Sequence, residues 1–509
     1  MADGGDEGPA RFPLPSPWTD RAPYRSRYEK SARALVAVAR TLDRERPLGG
    51  REDEFLELWR LIEAAPPAAF SRVWTAPASL WWVVLAYQLV GRVFSPGTHA
   101  PETEAYGAAI GAPAPRDALA LHLEEFKRLA LGVAMAAGVD CPFHRPLRTS
   151  LPFSIPGAGL VVEGEGGIAL DGLVAGALLV GRAGDRLRLA IGGPPDREEE
   201  LDRARSASPA RPRLAPCATA RCDDYALWLD PIALRLPGVT IAEPLRELPL
   251  DFQARQVTVV EAALARIRRH QPETFAQMRE VLSVAAFKPR ELGDFSNVSQ
   301  SDLPGAFVCS TTVDPWVLAD SIIHEFHHNR LFFLQDASPL FSKTGDGVAD
   351  RGEYYSPWRE DLRPLQGILH GAYVYLPVFW FWAAVLRAGA VTDGALRYAR
   401  DQLARIPRQC AIAVGQLRRH ARLTDAGAKL LDVLARETER AARAAAKMGA
   451  GAEVPASVAR DDGSFPTEER SAGDECLTVG ESVAAHVARF DTRGQVQSGS
   501  TRAASADPR

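Results

Sequence analysis

The chain has 509 residues, 46% hydrophobic and 24% charged, with net charge −4 and a pI of about 6.3. That is ample for a large core in roughly two to four domains, and the composition excludes a collagen-like or wholly disordered chain. Neither a basic excess nor an acidic run singles out nucleic acid or another charged polymer as partner.

Residues 1–25, rich in Gly, Pro and charge, predict a flexible N-terminal arm. MADGGDEGPARFPLPSP lacks the apolar segment of a secretory signal. The six cysteines form no C-x-x-C pair and suggest no disulfide framework. The expectation is a cytoplasmic protein.

From 26 to 141 the pattern predicts a helical region. RYEKSARALVAVARTLDRE, REDEFLELWRLIEAA and PRDALALHLEEFKRLALGVAMAAG repeat apolar residues at three- and four-residue steps. A β-rich subdomain is expected over 142–250, where PFSIPGAGLVVEGEGGIALDGLVAGALLVG is branched-aliphatic, glycine-broken and without helical period. Its glycines match neither the phosphate-loop nor the dinucleotide pattern. Strand addition of a peptide at an exposed edge is one reading of this segment; a packing subdomain without peptide contact is the preferred one.

Helix resumes over 251–449, through QARQVTVVEAALARIRRH and ETFAQMREVLSVAAF; a strand, AFVCSTTV (306–313), follows. Long helices are predicted at about 364–388, 393–420 and 425–448. Two apolar runs, ASLWWVVLAYQLVGRVF (78–94) and the charge-free GAYVYLPVFWFWAAVL (371–386), fall short of the ~20 residues that span a bilayer, so both read as core helices rather than membrane segments. After Gly449, few large apolar residues remain, and 450–509 predict a disordered tail. The fold class is mostly α with a β-rich insert (α+β), built around a helical HExxH core.

That core is DSIIHEFHHNRLF (320–332), which contains His324-Glu325-x-x-His328. Four residues apart on a helix, two imidazoles point the same way and can share one metal. Glu325, displaced about 100°, can reach a metal-bound group. Asp320, one turn earlier, is placed to orient His324 through its second ring nitrogen. His327 reads as a neighbour and not a ligand. The metzincin continuation fails, since Leu331 and Leu334 stand where Gly and the third His belong. A third ligand is therefore sought downstream in GEYYSPWREDLRPLQGILHGAYVYL (352–376). With only ten histidines in the chain, His370 leads there, followed by Glu353, with Asp346, Asp350 and Asp361 behind. Arg359 and Arg363 carry planar forks suited to a carboxylate, or else form surface pairs with Glu360 and Asp361.

The combination CSTTVDPWVLADSIIHEFHHNRL with YYSPWREDLRPLQGILHGAYVYL resembles the HExxH-motif family associated with ribosomally synthesised, modified peptides. The likeness runs from about 303 to 382, with looser helical similarity over 27–445. Members are described as iron- and 2-oxoglutarate-dependent peptide β-hydroxylases acting on Asp or His side chains. The resemblance implies that His324, His328 and His370 bind Fe(II), that Arg359 or Arg363 holds 2-oxoglutarate, that Glu325 positions a metal-bound group, and that a precursor peptide and dioxygen are the other reactants. The usual iron site of such chemistry is two His plus one carboxylate, which keeps Glu325 and Glu353 open as ligands. The competing reading is a zinc peptidase with Glu325 as general base. A scaffold with a vestigial motif is the third, and intact His324, Glu325 and His328 speak against decay.

Overall fold

Proline is the first residue of six helices, at Pro67, Pro77, Pro101, Pro115, Pro272 and Pro315. Its fixed φ suits a first helical turn, and the N–H it lacks has no intrahelical partner there. These starts come from a computed structural model of the chain. It describes residues 14–15, 17–95, 101–182, 185–191, 212–237, 250–289, 297–311, 314–342, 354–359, 361–391 and 393–449. The described residues are mostly helical, about 59%, with several small sheets, an α+β chain as expected. The expected tail 450–509 lies outside them.

Two compact units divide the chain, one of Tyr24–Thr258 and Arg279–Thr311, the other of Met1–Pro23, Val259–Met278 and Thr312–Arg509. The boundaries differ from those expected at 141 and 250, because residues 279–311 pack with the β-rich segment.

The first unit opens with α1 (Ala22–Glu45), α2 (Asp53–Ala64), α3 (Pro67–Trp74), α4 (Pro77–Phe94), α5 (Pro101–Ala109) and α6 (Pro115–Ala137). Their apolar faces, with β-strand residues such as Leu170 and Val180, form one continuous core. Strands β1 (Cys141–Ser150), β4 (Gly167–Val174), β5 (Ala177–Arg182) and β6 (Asp185–Ala190) make an antiparallel sheet in the order β1-β4-β5-β6. Glu54 on α2 ties β1 to the helices by accepting the backbone N–H groups of His144 and Arg145 at 2.8 and 3.1 Å. A second sheet joins β2 (Phe153–Ile155), β3 (Leu160–Glu163) and β7 (Arg213–Pro216).

The third sheet corrects the sequence reading. Helix was expected through Phe287, but it ends at Val281, and Val284–Lys288 is a strand. This strand (β10) runs parallel to both β9 (Tyr225–Leu229) and β11 (Ala306–Ser310), with β8 (Thr219–Cys222) completing the order β11-β10-β9-β8. All five residues of β10 are buried. A strand covered on both faces shows no alternation, so VAAFK carries no period that separates it from helix.

His122 on α6 is fully buried in an aromatic box. It stacks on Trp82 with ring centroids 5.0 Å apart, and its Nδ1 and Nε2 lie 2.9 Å from the Tyr106 hydroxyl and the Trp82 carbonyl. A neutral ring satisfies both, Nε2–H donating to the carbonyl and Nδ1 accepting from the hydroxyl. Burial pushes this imidazole down to about 4. The folded value is below the unfolded one, so stability is complete above about pH 6.5 and is lost as pH falls towards about 4, by about 3 kcal/mol. Denaturation midpoints measured across that range should fall in the parent and fall less in His122→Gln; equal slopes would reject the assignment.

Helix α7 (Leu250–Ala254) belongs to the first unit; the helices of the second begin within α8 (Val257–His270) and α9 (Pro272–Val281). They continue with α10 (Pro315–Ala337), α11 (Leu365–Arg387), α12 (Asp393–His420) and α13 (Asp425–Lys447). Helix α11 is long and apolar enough to cross a membrane, but 83% of its most apolar window is buried inside the protein, as expected of a core helix.

Pro377 sits inside α11 and removes the N–H that would bond to the carbonyl of Tyr373. Trp18 supplies the missing donor: its Nε1 lies 3.1 Å from that carbonyl, and its ring stacks on Tyr373 at 5.2 Å. Beside it, buried Arg330 donates from Nε and Nη2 to the Pro17 carbonyl at 2.8 and 2.7 Å, and also to the Asp20 carbonyl and Gln277 Oε1. The flexible arm expected over 1–25 is thus corrected in its second part. Trp18 is 1% exposed, held there by donors that the sequence distance conceals.

Candidate metal centre

Helix α10 starts where Asp314 accepts the Trp316 N–H at 2.7 Å and Pro315 follows as the first helical residue. Most of its length is buried on every side. Between Val317 and Phe333 the exceptions are a stripe at four-residue spacing, His324, His328 and Phe332, each half-buried. Facing residues of α11 repeat the pattern, with Gly367, His370, Gly371 and Tyr375 half-buried among buried neighbours.

On this stripe His324 Nε2 and His328 Nε2 lie 3.1 Å apart. Two nitrogens each about 2.0–2.1 Å from one ion would be separated by about this much. Glu325 Oε1 is 4.0 Å from His324 Nε2, and the Glu325 side chain is 1% exposed. Donor atoms of His324, Glu325 and His328 all fall within 4.8 Å of one another, the arrangement of a possible metal site.

His370 is brought to the same place, with a different contact. Its Nδ1 lies 3.3 Å from His328 Nδ1, the nitrogen across the ring from the one near His324. It is absent from the close donor group among the described residues. As the rings stand, His370 faces the second nitrogen of His328. His370, expected as the third ligand, thus meets the His328 ring on the edge away from His324, with its own Nε2 buried and without a hydrogen-bond partner among the described residues. Phe332 closes this end, its ring 5.6 Å from His370.

Burial pushes the His324 and His370 imidazoles down to about 4. His328 is also held well below its ordinary value, by burial first and then by His324, His370 and His327. The rings are therefore neutral at physiological pH, the form in which an imidazole can bind an ion. His327 is fully buried, edge-on to Phe326 and Tyr373, and is a neighbour of the donor group.

Asp320 does not take the part expected of it. Its Oδ2 accepts from Trp382 Nε1 at 2.7 Å and from the Tyr398 hydroxyl at 3.4 Å, pinning α10 to α11 and α12. Burial raises this carboxyl to about 6, against the pull of Trp382 and Arg405.

The SPWRED segment reaches the centre through aromatic rings. Trp358 stacks on Tyr375 at 5.3 Å with planes 5° apart, and Tyr375 meets His324 edge-on at 4.7 Å. Gly371 makes room for this, since a Cβ there would fall 2.4 Å from the Trp358 ring. Gln409 and Gln416 of α12 fix the segment by donating to the carbonyls of Pro357 and Tyr355 at 2.7 and 2.8 Å.

Arg359 and Arg363 take the surface-pair form. Each places Nε 2.9 Å from a different oxygen of Asp361. Asp361, a lesser ligand candidate, is thereby occupied. Glu353, Asp346, Asp350 and Glu360 lie outside the described residues. Sequence reasoning missed Tyr375, Trp358, Arg330 and Trp18. Only the helical offset of four between Gly371 and Tyr375 carried a local signal.

No family model matches the chain, and no curated protein matches it in sequence.

Proposed function

We propose that the protein is a non-haem Fe(II)- and 2-oxoglutarate-dependent dioxygenase that hydroxylates a side-chain β-carbon of a ribosomally made precursor peptide in the cytoplasm. The observation that carries this reading is the donor set: two neutral imidazoles with Nε2 atoms 3.1 Å apart and the buried carboxylate of Glu325 beside them. Two histidines and one carboxylate on one face, with remaining positions open, suit Fe(II). The resemblance of residues 303–382 to peptide hydroxylases supports the same choice.

In this reading His324, His328 and Glu325 hold the metal. The bound iron with 2-oxoglutarate supplies the activation of dioxygen needed to oxidise an unactivated C–H bond. His370 keeps His328 in register, Tyr375 packs against His324, and Phe332 and Trp358 line the open stripe where a side chain would enter.

The test is an anaerobic incubation with Fe(II), 2-oxoglutarate and candidate peptides, followed by exposure to dioxygen. Succinate formation with a mass gain of one oxygen atom is expected. Peptide cleavage supported by Zn(II) without dioxygen would replace this reading with a peptidase in which Glu325 is the general base.

A further inference from the structure

We propose that Trp358 is a positioning residue of the metal centre, acting through Tyr375 to fix the ring of His324. The proposal rests on His324, Glu325 and His328 being metal donors, and on no step of the reaction. A metal-bound imidazole is ordinarily oriented by a hydrogen bond at its second nitrogen. His328 has a ring nitrogen of His370 at that position, 3.3 Å away. His324 has no such partner among the described residues; its nitrogen contacts are with His328 and Glu325, both at Nε2. Asp320, one turn earlier, is taken by Trp382 and Tyr398.

What His324 has instead is a ring. Tyr375 meets it edge-on, with centroids 4.7 Å apart and planes at 68°. Trp358 covers a face of Tyr375, 5.3 Å away and within 5° of parallel. A tyrosine ring turns about two side-chain bonds, and the flat indole against it removes that freedom. Gly371, one turn before Tyr375 on α11, leaves the space, since a Cβ there would fall 2.4 Å from the indole. Glycine inside a helix is unfavourable relative to alanine, so α11 gives up stability at the turn where the indole sits. The segment carrying Trp358 is irregular but held. Tyr354 and Arg363 exchange backbone hydrogen bonds at 3.2 and 2.9 Å, while Gln409 and Gln416 hold the Pro357 and Tyr355 carbonyls. The order of action runs from α12 through Trp358 and Tyr375 to His324.

The experiment loads the full-length chain with Co(II), whose visible absorption bands follow ligand geometry. The bands at saturating metal are read beside Co(II) affinity and the thermal midpoint. Trp358→Leu should shift the bands and weaken Co(II) about tenfold, the lower end of what orienting partners contribute. Gly371→Ala displaces the indole and leaves every donor in place; it should shift the bands the same way. The double variant should go no further, because both changes act through one stack. Trp358→Phe keeps a flat ring over Tyr375 and should return the parent spectrum. Parent bands in both Trp358→Leu and Gly371→Ala overturn the proposal whatever the thermal midpoint, since space-filling alone moves stability and not the ligand geometry. A Trp358→Phe spectrum equal to that of Trp358→Leu overturns it as well. If Trp358→Leu does not fold, Gly371→Ala decides alone. If the parent takes up no Co(II), the metal centre itself falls and takes the proposal with it.

Discussion

Replacing His324 with alanine should abolish metal binding, taking the bound ion from about one per chain to near zero, and with it all turnover. The site offers two imidazoles and one carboxylate in a close group, so losing one nitrogen removes a third of the protein donors. Partners that merely orient a ligand are worth about 10–100-fold in metal affinity, and a direct ligand should exceed that range. His328→Ala should behave like His324→Ala. His370→Ala should stay within the 10–100-fold range, since its Nδ1 faces the second nitrogen of His328. Metal content by elemental analysis, with affinities by competition against a chelator, separates the two classes. A His370→Ala protein as empty as His324→Ala would make His370 a ligand and displace Glu325 from that role. Each truncation leaves a cavity where a packed ring stood, so the thermal midpoint is read beside metal content to separate a lost ion from a lost fold.

Arg330→Met should destabilise the unit holding α10–α13 by about 3–5 kcal/mol, the usual consequence of breaking a buried charged network on one side. The guanidinium is fully buried and satisfies the carbonyls of Pro17 and Asp20 as well as Gln277. Methionine fills part of the volume but leaves those acceptors without donors, each costing about 1–3 kcal/mol. Release of the Pro17–Asp20 segment would also withdraw Trp18 from the Tyr373 carbonyl that Pro377 leaves open. Chemical denaturation should show the loss, and hydrogen exchange should rise first in α11 near Tyr373. A loss below about 1 kcal/mol would mean that the segment is not held by this arginine in solution.

The long helices of the second unit were legible because Asp393–His420 and Asp425–Lys447 repeat apolar residues at helical steps over more than twenty positions, and Leu365–Arg387 is an apolar run too long for a strand. Leu365–Arg387, Asp393–His420 and Asp425–Lys447 match the expected ranges closely. Short or fully covered segments were not legible. Val284–Lys288 is a strand only because β9 and β11 flank it, and nothing within VAAFK encodes those partners. At the candidate centre, the four-residue spacing of His324 and His328 was enough to pair their nitrogens, since helix geometry fixes that pair locally. Asp320 had the same local spacing from His324, yet its carboxylate turned to Trp382 and Tyr398, because burial left it in need of donors that only other helices could bring.

By itself, then, the sequence determined the helical framework, the buried character of its apolar runs and the His-Glu-x-x-His donor pair, all properties of residues within one or two turns of each other. The tertiary structure decided which nitrogen of His328 meets His370, that Arg359 and Arg363 close on Asp361, and that Trp18 completes α11 across 355 residues. Those outcomes turn on buried polar groups seeking partners. Such partners are chosen by which helices pack together, and no local spacing records that choice.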